Sequence, residues 1–534
     1  MNNTNVQMIK TLNFDTKELI LEGVNALADA VSSTLGPAGR TVMIEVLNAN
    51  PVLTKDGISV AEQIHLEDAI ANAACQVLKQ AARRTNNQAG DGTTTSTVLA
   101  QTILNEAMSG LKDRNPNAVK RGIEKATEHV IAELEEMKLP VQTDQEILNV
   151  AYISANGDED TAQLILQAIQ AAGADGVITV ESSSASTSSL SVVEGLELDR
   201  GMLNQNFVTS TKNTAVLDSP YVLVVDQKLT NNLLVPILEK VHQTGRPLLV
   251  IASDIEDNAL KTMLVNKIKG AMETVAIKSP GFGTARQDYL ADLAVLTGAT
   301  VISDLTVGLK DVELHHLGSA VKTTSSFHNT VIQGEAKHKK NILNRINEIR
   351  DKVESTSGFE KESHQRRIAS LSGGIAVIHV GGSSEVEQKE LLDRVEDSLN
   401  ASRAAIASGI VPGGGVALIN CNDSLLQFIM DEISNEEEKF GAICVMIALR
   451  SPLEAILRNA GQPEDIVQQI IDSSDPALGY DAKNNQFGDM YSFGIIDPVQ
   501  VTSSALQNAA SVSAQLLLTD VSVTIKRQDN NNNQ

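Results

Sequence analysis

The most informative stretch of the sequence is AGDGTTTSTVLAQ, residues 89–101. Glycines on both sides of Asp91 let the backbone approach a ligand closely. Three threonines, Thr93 to Thr95, follow where the apolar spacing beyond them predicts the start of a helix. Free N–H groups and hydroxyls at a helix N-terminus suit phosphate oxygens, and the carboxylate of Asp91 suits the Mg²⁺ that accompanies a nucleotide. Ordinary capped helix starts use the same residue types, so a plain cap is the alternative.

Three further turns contain residues of the same kind. They are TLGP at residues 34–37, TKDG at residues 54–57 and GGG at residues 413–415. Each would bring backbone close to a ligand, and each has an ordinary alternative: a helix C-cap, a charged turn and a loose linker. The sequence contains neither the GxxxxGK[ST] motif nor the protein-kinase motif set. A nucleotide enzyme with this sequence is therefore neither a P-loop NTPase nor a protein kinase.

Length and composition limit the classes of protein. A chain of 534 residues is too long for one hydrophobic core and predicts at least two domains. Hydrophobic residues make up 42% of it but aromatic residues only 3%, which favours cores of Ala, Val, Ile and Leu. The formal net charge of −24 argues against nucleic acid and anionic membranes as main partners. Solubility is the simpler explanation of that charge.

Cysteine usage and hydropathy indicate the compartment. Cys75, Cys421 and Cys444 lie far apart and form no CxxC motif or Cys/His cluster. We expect them to be small buried hydrophobic residues of a reducing compartment. The N-terminus has no apolar h-region, and no apolar run approaches the ~20 residues that span a bilayer. We therefore predict a cytoplasmic protein that has no membrane partner.

Hydrophobic periodicity divides the chain into three stretches. Helical patterns dominate from residue 17 to residue 137, and again after Gly409. Between them, helical patterns alternate with apolar runs at residues 221–225, 248–251, 275–277 and 301–302. This alternation predicts βαβ units and a parallel sheet. A helical domain interrupted by an α/β insertion is the simplest arrangement.

Some positions and segments punctuate this pattern. Candidate hinges, or plain turns, stand at Pro140, Gly195, Gly373-Gly374 and Gly409. The segment SSSASTSS, residues 182–189, predicts a flexible surface loop. The C-terminal KRQDNNNNQ, residues 526–534, predicts a disordered polar tail.

Several of these strings occur in an order that resembles one family. They are VNALADAVSSTLGPAGR (24–40), TKDGISVA (54–61), AGDGTTTSTVLAQ (89–101), ISAN (153–156), PGFG (280–283), RVEDSLNASRAA (394–405), GGGVALI (413–419) and SALQNAASV (504–512). Together they closely resemble the group I, GroEL-type chaperonins, the bacterial 60 kDa chaperonin family. The similarity runs from about residue 8 to about residue 525.

The resemblance implies a multidomain α and α/β fold with three domains. A mostly helical equatorial ATPase domain would comprise residues 1–138 and 410–525. A small α+β intermediate hinge domain would comprise residues 139–194 and 375–409. An α/β apical domain, which binds clients and a lid, would comprise residues 195–374.

The resemblance also implies a nucleotide site. The residues that match the family's nucleotide contacts are Thr34, Leu35, Gly36, Pro37, Lys55, Asp91, Gly92, Thr93, Thr94, Thr95, Ile153, Ser154, Gly414, Ala482, Ile495 and Asp497. Asp91 would hold Mg²⁺, and Thr34, Lys55 and Thr94 would coordinate K⁺. The cofactors implied are thus ATP, Mg²⁺ and K⁺.

Two acids match the family's hydrolytic residues. Asp397 matches the aspartate that orients or deprotonates the attacking water, and Asp56 would lie near that water and the γ-phosphate. Without the resemblance, Asp397 would be one acid on a solvated helix face.

For the apical domain, the resemblance implies an exposed apolar groove that captures non-native proteins and binds a co-chaperonin lid. The matching residues are Met202, Phe207, Val235, Leu238, Leu260, Met263, Leu264 and Val265. From spacing alone, the i, i+3, i+4 pattern of Leu260, Met263 and Leu264 is more typical of a core-facing stripe.

The sequence departs from the family pattern in three places. Met202 and Asn206 stand where an aromatic residue is usual, and the polar tail replaces one rich in Gly and Met. Unusual residues also stand where two rings normally join, at Lys112, Glu454, Pro463 and Glu464. We therefore expect a homo-oligomeric, seven-membered ring with weak or absent ring pairing.

The sequence is compatible with three functions to different degrees. An ATP-driven folding machine is favoured because Asp56, Asp91 and Asp397 are all present. A ring-shaped holdase that binds clients without productive ATP cycling is the alternative. A small-molecule kinase or ligase lacks an identifiable substrate pocket in the sequence.

Overall fold

The computed structural model describes residues 9–14, 16–45, 51–173, 177–183, 185–193, 195–210, 213–303, 305–355, 364, 367–368, 370–371, 375–473 and 475–526. The chain divides into two units. The first comprises Met1–Leu166, Ser182–Thr187 and Val380–Gln534, and the second comprises Gln167–Glu181 and Ser188–His379. The finer division into three domains stays a prediction.

The first third of the chain is mostly helical. Its elements are β1 (Ile9–Phe14), α1 (Lys17–Ser32), β2 (Val42–Ile44), β3 (Val52–Thr54), α2 (Gly57–Gln63), α3 (Ala69–Ala89), α4 (Thr93–Ser109), α5 (Pro116–Met137), α6 (Asp144–Ser154) and α7 (Glu159–Ala172). Side chains cap several of these helices. Asp68 accepts hydrogen bonds from the N–H groups of Ile70 and Ala71, and Thr143 forms a capping box with Glu146.

Strands and helices alternate in the middle third. The elements are β4 (Val177–Ser182), β5 (Ser189–Val193), β6 (Gly195–Leu198), β7 (Ala215–Asp218), β8 (Tyr221–Leu229), α8 (Asn231–His242), β9 (Leu248–Ile255), α9 (Asp257–Ile268), β10 (Thr274–Lys278), α10 (Gly283–Thr297), β11 (Gly318–Ser319), β12 (Lys322–Ser325), β13 (Thr330–Gln333), α11 (Lys339–Ser355) and β14 (Ile375–Val380).

Three sheets organise this region. The predicted parallel sheet is present, with the order β10-β9-β8-β11, and only β11 runs antiparallel in it. The apolar run at residues 301–302 contributes a bridge from Ile302 to Val225. A second, antiparallel sheet has the order β6-β13-β12-β7, and a third has the order β4-β14-β5.

The last third returns to helix. Its elements are α12 (Glu385–Ser408), β15 (Ile410–Pro412), α13 (Val416–Asn420), α14 (Asn422–Asp431), α15 (Glu436–Ala448), α16 (Ser451–Asn459), α17 (Asp465–Ile471), β16 (Leu478–Asp481), β17 (Gln486–Asp489), β18 (Ile496–Pro498), α18 (Val499–Leu517) and β19 (Val521–Lys526). β1 pairs with β19, so the two ends of the described chain meet.

The core of the first unit consists of helices packed through small residues. Helices α1, α3, α4, α5, α15 and α18 contribute most of its buried side chains. A Cβ added to Gly23 would lie 2.0 Å from the carbonyl oxygen of Ala71, and one added to Gly441 would lie 2.1 Å from that of Val119. Glycine therefore allows these helix backbones to approach each other closely.

Cysteine roles agree with the prediction. Cys75, Cys421 and Cys444 are buried and free. Burial raises the pKa of the thiols of Cys421 and Cys444 to about 12, so both are uncharged hydrophobic residues at neutral pH.

One apolar segment corrects the hydropathy analysis. Among the described residues, Glu436–Asn459 is long and apolar enough to cross a membrane by length and composition. The structure divides this stretch between α15 and α16, and 61% of its apolar window is buried. Because most of the window packs inside the first unit, its apolar composition is explained by core packing.

The candidate hinge positions and the two low-complexity segments are placed differently by the structure. Gly195 begins β6, and Gly409 ends α12 with a φ of +91°. Gly373-Gly374 and residues 527–534 of the predicted tail lie outside the described residues. Within residues 182–189, Ser182 ends β4 and Ser189 begins β5.

Candidate active site

A cavity of about 500 Å³ lies in the first unit. Its wall combines the end of α1, the starts of α2 and α4, the end of α6, one face of α12, the turn after β15 and the loops around β16 to β18. Every residue that the resemblance assigns to nucleotide binding or hydrolysis lines it: Thr34, Leu35, Gly36, Pro37, Lys55, Asp56, Asp91, Gly92, Thr93, Thr94, Thr95, Ile153, Ser154, Asp397, Gly414, Ala482, Ile495 and Asp497.

The start of α4 forms one wall of the cavity. Gly92 is the N-cap residue with a φ of +85°, and no side chain caps the helix. Gly90 has a φ of +73°, and a Cβ there would lie 2.1 Å from the Cβ of Asn400 on α12. The N–H groups in the first turn of α4 are thus available to bind an anion. At Gly90, α12 packs so closely that no side chain fits.

Asp56 is held at the start of α2. Its carboxylate accepts hydrogen bonds from the N–H groups of Ser59 at 2.8 Å and Ile58 at 3.2 Å. The next residue, Gly57, packs against α4, because a Cβ there would lie 2.2 Å from the hydroxyl of Thr94. Two helix starts therefore meet at one point of the cavity wall.

Asp91 and Ser154 join α6 to the start of α4. The hydroxyl of Ser154 donates to Asp91 Oδ2 at 2.8 Å, and the N–H of Gly92 donates to Asp91 Oδ1 at 2.5 Å. Shielding from water raises the pKa of Asp91, and the charge of Asp56 adds to the effect. The carboxyl is therefore oriented by two hydrogen bonds, while burial and the neighbouring Asp56 disfavour its charged form.

Asp397 is close enough to Asp91 and Asp56 to be repelled by their charges. Removal from water raises the pKa of Asp397 well above its ordinary value, and repulsion from Asp91 and then Asp56 raises it further. Shielding and Asp91 also raise the pKa of Asp497 to about 7. A bound cation would relieve this repulsion, so the acids fit a site that takes a metal ion together with its ligand.

The donor set fits Mg²⁺ that arrives with phosphate. Among the described residues, no group of three or more His, Cys, Asp and Glu side chains is arranged to hold a metal ion by itself. Mg²⁺ in nucleotide sites is typically held by one or two carboxylates and by the phosphates. Asp91 supplies such a carboxylate, and Thr34, Lys55 and Thr94, the residues matched to K⁺, line the same cavity.

Another part of the cavity wall is formed by a glycine turn and β18. Gly414 has a φ of +64°, and the N–H of Gly413 donates to the carbonyl of Ile495 at 2.9 Å. β15 pairs with β18 in a register that places Val411 opposite Asp497. The turn is therefore fixed against the strand that carries Asp497.

Sequence reasoning missed several residues of the cavity wall. Glu390 and Arg394 line it two turns and one turn before Asp397, so the i, i+4, i+7 spacing on α12 was a usable signal. Arg394 donates to Asp158 Oδ2 at 3.2 Å and also pairs with Glu390. Tyr152 and Lys483 also line the cavity, and nothing in the motifs distinguished them.

The predicted client-binding residues have mixed exposure in the second unit. Met202, Phe207, Leu238, Met263 and Leu264 are buried in its core. Val235 and Leu260 are half-buried, and Val265 is 48% exposed. A core-facing stripe therefore accounts for Met263 and Leu264, and we restrict the surface that α8 and α9 offer to Val235, Leu260 and Val265.

Comparison with known proteins identifies a family and similar structures. The chain matches the family model described as the TCP-1/cpn60 chaperonin family over residues 27–527. It is also similar to two crystal structures of the chaperonin gp146 from the bacteriophage EL 2 (Pseudomonas aeruginosa), both in the presence of ATP-BeFx.

The two crystal forms agree closely in this comparison. Crystal form II aligns with a TM-score of 0.66 and 23% identity, over 96% of this chain and 98% of that chain. Crystal form I aligns with a TM-score of 0.62 and 24% identity, over 97% and 99%. The likeness confirms the multidomain α and α/β fold expected from the sequence.

Proposed function

The chain belongs to the TCP-1/cpn60 chaperonin family, and we propose that it is a group I, GroEL-type chaperonin that folds proteins with energy from ATP hydrolysis. One observation carries the proposal. Residues from at least seven separate segments, matched one by one to the family's nucleotide contacts, line a single cavity together with Asp56 and Asp397.

The cavity residues would divide the work on ATP. The N–H groups and hydroxyls of Thr93 to Thr95 would bind phosphate oxygens, as a helix start does for an anion. Asp91 would hold Mg²⁺, and Thr34, Lys55 and Thr94 would hold K⁺. These cations would supply positive charge against the phosphoryl oxygens. Gly414, Ala482, Ile495 and Asp497 would contact the adenosine part.

Asp397 would act on the attacking water. It lies on α12, a different segment from those that carry the phosphate-binding residues. Burial raises its pKa well above the ordinary value, and repulsion from Asp91 and Asp56 raises it further. Asp91 would hold Mg²⁺, whose positive charge would reduce this repulsion and favour the ionised form of Asp397. In that form Asp397 would orient or deprotonate the attacking water. Asp56, fixed by the N–H groups of α2, would lie beside it.

The polypeptide partners follow from the family and from the second unit. Non-native clients and a co-chaperonin lid would bind the apolar surface formed by Val235, Leu260 and Val265, because an exposed apolar patch recognises unfolded chains with little sequence preference. The chain would act as a seven-membered ring in the cytoplasm, with weak or absent ring pairing. Nucleic acid and membrane are not expected partners.

The first test is steady-state hydrolysis of Mg-ATP with K⁺ present. Asp397→Ala should bind ATP like the wild type yet hydrolyse it about 10²–10⁴-fold more slowly, which is the usual contribution of a general base. Glu385→Gln, which changes an exposed acid at the start of the same helix, should retain wild-type turnover.

The outcome also separates the two candidate functions. If both proteins bind ATP, and the wild type hydrolyses it slowly while Asp397→Ala hardly hydrolyses it, the proposal of an ATP-driven folding machine stands. If folded rings of both proteins are equally inactive, the holdase becomes the better description.

A further inference from the structure

A tyrosine and a lysine meet across the mouth of the cavity. Tyr152 and Lys483 both line it, from positions 331 residues apart. Lys483 Nζ donates to Tyr152 Oη at 2.5 Å and lies 5.1 Å from the centroid of its ring. Lys483 is exposed and Tyr152 is half-buried. A residue that lines a cavity while it faces solvent lies at the mouth, so this contact bridges the mouth.

The backbone that carries Lys483 is held in place. It lies in the turn between β16 and β17, next to Ala482 of the cavity wall. Asp481 Oδ1 accepts from the N–H groups of Lys483 at 2.9 Å and Asn484 at 3.1 Å, and Asp481 Oδ2 accepts from the Asn484 side chain at 2.7 Å. The carboxylate of Asp481 thus fixes the backbone of the turn, and the long side chain of Lys483 can change its conformation without moving that backbone.

The position of Tyr152 is also fixed by the backbone around it. It belongs to the last turn of α6, two residues before Ser154, whose hydroxyl bonds Asp91. After the helix, Gly157 turns the chain with a φ of +80°, and a Cβ there would lie 3.4 Å from Tyr152 Oη and 3.6 Å from Lys483 Nζ. The same helix end therefore touches both the phosphate side of the cavity and its mouth.

The chemistry of the pair suits a reversible contact. The phenol oxygen raises the pKa of the Lys483 ammonium, so the lysine is charged at neutral pH. A cation bound by a phenol oxygen and near an aromatic ring is a modest, solvent-exposed interaction that can break and re-form.

We propose that Tyr152 and Lys483 form a latch that closes over the nucleoside end of a bound nucleotide and slows its release. The inference rests on the proposed nucleotide site, and it adds two residues that set how long the nucleotide stays. Ala482 and Ile495, the expected adenosine contacts, line the same cavity, and Ala482 precedes the latch lysine directly. Release of the nucleotide therefore requires the contact between Tyr152 and Lys483 to break first.

The test measures the release of radiolabelled ADP. Assembled protein is loaded with labelled ADP and Mg²⁺, chased with excess unlabelled ADP and filtered at successive times. Tyr152→Phe removes the hydroxyl oxygen that accepts the hydrogen bond but keeps the aromatic ring. Lys483→Met keeps an unbranched side chain but removes the positive charge. Each should release ADP roughly threefold to tenfold faster, the range expected for one modest polar contact. The double variant should be no faster than the single variants, because both break the same contact.

Arg114→Ala is the matched control. Arg114 lies 4.2 Å from the ring centroid of Phe440, in the same unit but away from the cavity wall. Its release rate should equal that of the wild type.

The outcomes distinguish the latch from the site. Wild-type release rates in both single variants would overturn the latch and leave the nucleotide site standing. Multiplied effects in the double variant would also overturn it, because the two residues would then act separately. A wild type that binds no ADP would overturn the proposed function, and the latch with it.

Discussion

The cavity of the first unit is built mostly from turns and helix ends, whereas the surface of α8 and α9 in the second unit is built from residues within two helices. Many of the residues that line the cavity are glycines, aspartates and threonines, and some stand where backbone geometry needs them, such as Gly92 with its φ of +85°. The helix surface offers apolar side chains, which serve a core and a binding groove equally well. Residue identity therefore indicates a ligand in the first region, and only exposure can do so in the second.

Gly90→Ala should have the largest effect on the cavity, because it changes a close contact with α12 next to the lining residues Asp91 and Gly92. The φ of +73° is strained for alanine, and the new Cβ would lie 2.1 Å from that of Asn400. Either α4 or α12 has to shift, so we expect at least a tenfold loss of ADP affinity together with roughly 1–3 kcal/mol of lost stability. Calorimetric ADP titration and denaturant unfolding measure the two effects.

Gly461→Ala provides the control for Gly90→Ala. Gly461 has a similar φ of +66°, but no atom lies within 4 Å of a Cβ added there. It should show the backbone strain alone, with unchanged ADP affinity. If both variants bind ADP equally well, close packing at Gly90 is not what shapes the cavity.

In the second unit, Met263→Ala should separate core from surface on α9. Met263 is fully buried, so the truncation should cost about 2–5 kcal/mol of stability. Val265→Ser changes an exposed side chain two residues later and should cost about 0.5 kcal/mol or less. Denaturant unfolding compares them, and equal losses would mean that Val265 is also part of a packed core.

Client capture should follow exposure on the same helix. Leu260→Glu places a charge on the half-buried surface of α9 and should abolish capture of an unfolded protein while ATP hydrolysis continues. Light scattering of a denatured client diluted into the protein, together with phosphate release, measures both. Retained capture would remove α9 from the proposed client-binding surface.

The same contrast explains how much the sequence could predict. Each motif in the cavity is a short string whose geometry is local, such as Gly92 at the start of α4, so the motifs could be recognised separately and then found together. The alternating elements likewise predicted the parallel part of the β8–β9–β10 sheet. Burial of Met263 and Leu264 could not be read from their spacing, because a core stripe and an exposed groove share one periodicity.

Contacts between distant segments were beyond the sequence for a different reason. Lys483 and Tyr152 belong to no motif, and their contact depends on how the β16–β17 turn meets the end of α6. Arg394 was visible within RVED but gained a partner, Asp158, only through folding. Pairings of this kind are properties of the tertiary structure, which local patterns do not encode.

The smallest effect should come from Glu438→Gln, in the first unit but away from its cavity. Glu438 accepts from Arg121 at 2.7 Å and from Lys125 at 2.8 Å, and these cations lower the pKa of its carboxyl. A lowered pKa in the folded state stabilises it above the ordinary pKa of glutamate, and this contribution is lost as the pH falls through the lowered value. The variant should thus lose up to about 1 kcal/mol at pH 7, where the cations are still partly solvated.

The pH dependence of unfolding decides whether that contact acts as an ion pair. The difference in free energy of unfolding between wild type and Glu438→Gln should hold from pH 7 down to roughly 4, the ordinary pKa of glutamate, and should shrink as the pH falls further towards the lowered value. Glu436→Gln, which changes an acid whose side chain is 84% exposed, should show almost no difference at either pH. A Glu438→Gln difference that stays constant with pH would assign the loss to packing between α5 and α15. Unchanged ADP affinity in both variants would show that stability of the first unit and ligand binding in its cavity are separable.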